Sequence, residues 1–141
     1  MNEVDLQTIS GIQVLAITRD RRSQERLKSL AAFYGWELAI SPSYRSAATP
    51  EYHSIPIVVC DDGDLDLNWR EAFETFLKVD RSKCIILCSN SDDDHLWQNV
   101  IRCGGYDVVC KPIREEQMVR AIQFAWRFWK TVHLRPGQGK S

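Results

Sequence analysis

Apolar and polar positions alternate along this chain in two periods. Five short runs lack polar alternation and are rich in β-branched residues: Ile12–Ile17, Trp36–Ile40, Ile55–Asp61, Cys84–Cys88 and Tyr106–Cys110. Runs of this kind suit strands buried on both faces, as in a parallel sheet covered by helices. Between them the period changes to helical. Leu27, Leu30, Ala31 and Tyr34 make one stripe, with Gly35 placed to end the helix. Trp69, Ala72, Phe73, Phe76 and Leu77 make a second. Leu96, Trp97, Val100 and Ile101 make a third, opened by Asp92–Asp94 and stopped by Gly104-Gly105. A long helix follows from Glu115 to about Trp129. The stretch 41–53 holds Pro42, Pro50 and small residues, so any helix there is short.

Strand and helix thus alternate five times, with one weak helix. That order predicts an α/β domain, a parallel sheet with helices on both faces. With 141 residues the chain suits a single domain. The expected division is a tail over 1–10, the domain over 11–130 and a flexible tail over 131–141. The end, rich in Gly, Pro and charge, is expected to be disordered.

A net charge of −1 argues against a phosphate-backbone or anionic-membrane partner. No apolar run is long enough to span a bilayer, and the acidic start carries no signal segment, so a cytoplasmic protein is expected. The five cysteines are odd in number and lie in apolar settings, without C-x-x-C spacing. They read as buried, reduced thiols rather than a disulfide or zinc framework. His53, His95 and His133 lack ligand spacing and read as surface residues. Trp69 and Trp97 read as packing groups, since no basic stripe accompanies them.

Candidate chemistry lies at the carboxyl ends of the apolar runs, where open α/β sheets place their sites. The first run leads to Asp20, the third ends at Asp61, the fourth at Ser89 and the fifth at Lys111. A carboxylate, a hydroxyl and an ammonium at one sheet edge suit phosphoryl chemistry. Asp can accept a phosphoryl group, a hydroxyl can donate to its oxygens, and Lys can neutralise its charge. A divalent metal would be needed to screen phosphate from carboxylate. Each residue also has a bland reading: Asp61 as a loop acid, Ser89 as a turn residue, Lys111 as a solvated lysine.

At these residues the sequence resembles the receiver domain of two-component response regulators, over roughly residues 11–130. Gly104-Gly105-Tyr106-Asp107 through Lys111-Pro112 looks like the family's G-[AG]-x-D…K-P run. Ile85–Ser89 looks like its fourth strand and Ile57–Asp61 its third. The resemblance implies a three-layer, doubly wound, CheY-like sheet of five strands in the order 2-1-3-4-5. It implies a phosphorelay function in which Asp61 accepts a phosphoryl group from a histidine kinase or phosphotransfer protein. Ser89 and Lys111 would contact the phosphoryl oxygens, and the signal would pass through changed protein contacts. Mg²⁺ would be held by Asp20, Asp61 and the carbonyl of Gly63. A cis Lys111–Pro112 bond is also implied. No enzymatic activity and no direct nucleic-acid or membrane binding are expected, and the chain is read as a stand-alone receiver or part of a longer regulator.

Departures from the pattern bear on the metal. The first strand of the family ends in an acidic pair, and the aligned residues here are Thr18 and Arg19. A one-residue shift would bring Asp20 into the second acid position; otherwise Arg19 puts a cation where the metal belongs. At most one first-strand acid remains, so Mg²⁺ is expected to be held weakly. Val108 and Leu65 replace residues usual in the family, and Asn90 is larger than its usual counterpart. The alternative function is a pseudo-receiver, an interaction module that never takes phosphate. A flavodoxin-like cofactor binder is disfavoured, because Thr18–Gln24 has three arginines and no Gly.

The last helix carries more apolar surface than a core needs. Met118, Ile122, Ala125 and Trp129 form a stripe flanked by Phe124 and Phe128 on one side and Val119 and Trp126 on the other. The arc is about 220°, against roughly 100° for a core-facing helix. Either the core is thicker there or the flank is a partner surface, for which the resemblance points to a homodimer through the last-helix face.

Overall fold

The computed structural model describes residues 11–62, 68–91 and 93–133. The expectations for Gly63, Leu65, Asp92 and the segments 1–10 and 134–141 lie outside those residues. Among the described residues, β1 (Gln13–Ile17), α1 (Arg21–Tyr34), β2 (Glu37–Ser41), α2 (Tyr44–Ala47) and a 3₁₀ turn (Pro50–Tyr52) come first. Then follow β3 (Ile57–Asp61), α3 (Trp69–Val79), β4 (Cys84–Ser89), α4 (Asp94–Arg102), β5 (Asp107–Cys110) and α5 (Glu115–His133).

The strands pair in parallel in the order β2-β1-β3-β4-β5. Every residue of β3 and β4 is buried. That is why these two runs show no polar alternation: each has helices on both faces. Side chains of opposite parity enter two separate cores. Val14, Ala16, Ile57, Val59, Ile86 and Cys88 pack with Leu27, Leu30, Met118 and Ile122 of α1 and α5. Leu15, Ile17, Val58, Cys60, Ile85 and Leu87 pack with Tyr44, Phe73, Phe76 and Val100 of α2, α3 and α4.

Caps fix where the helices start and stop. Asp20 caps α1, which ends at Gly35 in the left-handed conformation (φ 77°). Asn68 accepts from the Glu71 amide and donates back to its carboxylate, a reciprocal cap on α3. Asp93 accepts from the His95 amide at the start of α4. Gly105 packs where a side chain would not fit: a Cβ there would lie 2.5 Å from Val100 and 2.7 Å from Phe73.

Three expectations need correction. The last helix continues through Thr131–His133, into the stretch read as tail. Trp126, Trp129 and His133 stack in a column, and His133 Nε2 lies 2.9 Å from Ser82 Oγ, which ties the last turn to the loop before β4. Cys110 is exposed, because it ends the edge strand β5, and Cys103 is half-buried; Cys60, Cys84 and Cys88 are buried as expected. Trp97 is 49% exposed on the outer side of α4 and is not a core group. The broad arc of α5 divides: Val119 is buried, while Phe124 and Phe128 stay half-exposed. No helix among the described residues is long and apolar enough to cross a membrane.

Candidate functional site

Register and side-chain parity build the site. β1 and β3 run side by side with Ile17 opposite Cys60. One step further along both strands stand Thr18 and Asp61, on the face covered by α1 and α5. Asp61 is also opposite Cys88 of β4, and Ser89 is opposite Cys110 of β5. All these strand ends therefore meet at one edge. Lys111 follows Cys110 and shares its parity with buried Val109, so its long side chain turns across β4 toward β3.

Asp61 is 6% exposed and strongly held. Lys111 Nζ donates to both carboxylate oxygens at 2.9 Å, and Thr18 Oγ1 donates to Oδ2 at 2.9 Å. The Tyr44 hydroxyl donates to the Asp61 carbonyl at 3.0 Å and fixes the strand end from the other face. Burial drives the Tyr44 pKa far above its ordinary value, so it stays a neutral donor. The Lys111–Pro112 bond is cis.

Asp20 also approaches the ammonium, with Oδ2 3.6 Å from Lys111 Nζ. Its carboxylate also accepts from Ser23 Oγ at 2.7 Å and from the Arg22 amide at 3.3 Å. The Ser23 bond holds its pKa below the usual carboxylate value; burial opposes this, and the Lys111 charge and the Arg22 amide add to it. For Lys111, burial favours the neutral amine, but the bonds and charge of Asp61, then of Asp20, outweigh it and raise the pKa. Arg19 does not enter the pocket: its guanidinium Nε donates to the Pro42 carbonyl at the surface.

Ser89 is 1% exposed, and its hydroxyl accepts from the Ser91 amide at 3.0 Å. The Ser89 carbonyl accepts from the Lys111 amide, which couples the ends of β4 and β5. Asn90 beside it is exposed. The structure thus gathers Asp20, Asp61 and Lys111 into one ion cluster, with Ser89 on the neighbouring strand. Gly63 falls outside the described residues.

The sequence marks Thr18 only as standing in place of an acid, and its bond to Asp61 is not foreseen there. Its hydroxyl accepts from the Asp20 amide at 3.0 Å while donating to Asp61, and its carbonyl accepts from the Gln24 side chain. The available signal was its position: it is the first polar residue after the β1 run, level with Asp61.

The solved structures that resemble this one share its architecture. A signal receiver domain from Vibrio parahaemolyticus superposes with a TM-score of 0.80 at 16% identity, covering 91% of this chain and 99% of that one. A CheY-like response regulator receiver domain protein from Methanospirillum hungatei gives 0.76 at 15% identity, covering 87% and 99%. In sequence, the chemotaxis protein CheY of Thermotoga maritima is 25% identical over 114 residues, 79% of this chain and 95% of that protein. The chain folds as a CheY-like receiver domain. No family model matches it.

Receiver domains generally bind Mg²⁺ at the acidic pocket, and the donors described here fit that ion poorly. Thr18 stands where an acid would add a hard anionic oxygen. The oxygens of Asp20 already accept from the Ser23 hydroxyl and the Arg22 amide, and those of Asp61 from the Thr18 hydroxyl and the Lys111 ammonium. Among the described residues, no group of three or more His, Cys, Asp or Glu is arranged to hold a metal ion.

Proposed function

We propose that this receiver domain is a signal-reception module of a two-component phosphorelay, with Asp61 as the phosphoacceptor. The observation that carries the reading is the placement of Lys111 Nζ at 2.9 Å from both Asp61 oxygens at the carboxyl edge of the sheet. The donor is a sensor histidine kinase or phosphotransfer protein. An Asp61 oxygen attacks phosphorus, the P–N bond to the donor imidazole breaks, and the imidazole leaves as the neutral base or takes a proton from water. Lys111 then neutralises a phosphoryl oxygen, and Ser89, released from the Ser91 amide, donates to another. Like receivers generally, the module signals through altered protein contacts rather than by turning over a substrate.

The readout surface is the face of α4, β5 and α5. Trp97 and Ile101 of α4 and Phe124 and Phe128 of α5 are exposed there at 38–50%. Arg114, Glu115, Glu116 and Arg120 line the groove next to Phe124, so both charge signs are present for a second copy or a protein target. The direct test is intact mass after incubation with acetyl phosphate, with and without Mg²⁺. A gain of one phosphoryl group in the wild type, lost in Asp61→Asn, supports the reading. No gain under either condition rejects it.

One observation favours a second reading. The Thr18 hydroxyl donates to Asp61 at a position where a carboxylate would add an anionic oxygen for a metal. On that basis the domain would be a pseudo-receiver that presents the same face without phosphorylation, and the same mass experiment separates the two.

A further inference from the structure

We infer that the resting pocket takes no divalent cation because Lys111 is its resident cation and Thr18 is the residue that sets this. Any ion bridging Asp20 and Asp61 must lie between their carboxylates. Lys111 Nζ already contacts both, 2.9 Å from both oxygens of Asp61 and 3.6 Å from Asp20 Oδ2. The Asp61 side of the pocket is closed, with side-chain exposures of 7% for Asp61 and 12% for Lys111, while Asp20 stands at its open edge with 34%. Mg²⁺ demands near-octahedral oxygen ligands at about 2.0–2.1 Å and gives up its water reluctantly.

Charge decides the matter further. Among the described residues in contact there, two carboxylates against one ammonium leave a single net negative charge. Adding a divalent ion beside the ammonium would leave the cluster net positive next to its buried Asp61 end, which is unfavourable. Thr18 cannot relieve this. Its one proton is committed to Asp61 and a lone pair to the Asp20 amide, so it is a bound neutral bridge and supplies no charge. A carboxylate at position 18 would supply the missing anionic oxygen and the missing charge together. Removing the ammonium would free the same place by the other route. Thr18 is therefore a positioning residue: it acts on Asp61 and leaves Lys111 as the counter-ion.

The inference stands whether or not Asp61 is phosphorylated, and its test reads metal rather than phosphate. Mg²⁺ alone is titrated by calorimetry into the full chain, with thermal denaturation in parallel. The wild type and Thr18→Ser should give no saturable heat up to roughly 10 mM and a Tm shift under about 1 °C. Thr18→Asp and Lys111→Met should each bind saturably, with a Tm rise of roughly 3–6 °C at about ten times Kd. Should Thr18→Asp fail to fold, Lys111→Met decides alone, and the wild-type titration is informative by itself. Saturable wild-type binding in the low millimolar range overturns the inference, as does a folded Lys111→Met that gains nothing. A failed phosphorylation experiment would leave these titrations unchanged, so the two readings fail separately.

Discussion

Thr18 Oγ1 donates to Asp61 Oδ2 at 2.9 Å across the ends of two neighbouring parallel strands, both groups almost fully buried. A neutral hydroxyl thus holds the carboxylate that the rest of the pocket is built around. With Lys111 on the other side, Asp61 is satisfied from within the chain.

Breaking that arrangement should be costly. Lys111→Met leaves the Asp61 carboxylate buried without its counter-ion, and we expect a loss of ~3 kcal/mol, at the lower end for broken buried pairs because the pocket edge is not sealed. Asp61→Asn with Lys111→Met together should recover part of it. Urea midpoints for the two single variants and the double variant give the coupling energy, and simple additivity would show that the pair does not act as a unit.

The acid limb of the stability curve should report Asp20. Its folded pKa is lowered, so its contribution is present above the unfolded carboxyl value of about 3.9 and is lost as pH falls through the lower folded value. Lys111 has the opposite sign: its folded pKa is raised, so its contribution is full below about 10.4 and disappears as pH rises through the folded value. Asp20→Asn keeps a competent helix cap but removes the charge. Denaturation midpoints between pH 2 and pH 7 should then fall less steeply in the variant than in the wild type. Parallel curves would assign the acid sensitivity to other carboxylates.

The exposed aromatic flank of α5 should matter for association and not for folding. Phe124 and Phe128 are about half exposed, and Phe128 leans on Tyr106 with ring centroids 5.7 Å apart. Covering the exposed half of each could contribute at most ~1–1.5 kcal/mol per ring before the cost of association, enough only for a weak dimer. Sedimentation at high concentration should show self-association in the wild type and less in Phe124→Ser with Phe128→Ser, at nearly unchanged Tm. Monomers in both samples would confine this face to other partners.

Gly105→Ala should destabilise the fold by roughly 1–3 kcal/mol through overpacking. The new methyl would meet Val100, Phe73 and the Val100 carbonyl at 2.5–3.0 Å, and the contact is central to the packing of α3 and α4 on the sheet. Thermal denaturation checks this; an unchanged Tm would mean that α4 shifts freely, which its single buried residue, Val100, makes the relevant alternative.

Much of this protein is written locally. The β3 and β4 runs are apolar without alternation because both faces are covered, so the parallel sheet was legible in them. Gly35, Asp93 and Gly104-Gly105 marked helix ends because caps and left-handed turns select those residues over a few positions. The gathering of Asp61 and Lys111 was legible too, since each follows an apolar run and parallel strands end at one edge. What only the tertiary structure decided depends on register and on which side chain reaches which. Thr18 meets Asp61 because β1 and β3 pair with Ile17 opposite Cys60, an alignment no local pattern encodes. Asp20 turns to Lys111 while Arg19 leaves for Pro42, a choice set by the start of α1 and the position of β2. The last turn of α5 persists because His133 finds Ser82, 51 residues away in the chain. Chain-local chemistry fixes elements and their ends; contacts between distant elements fix who neutralises whom.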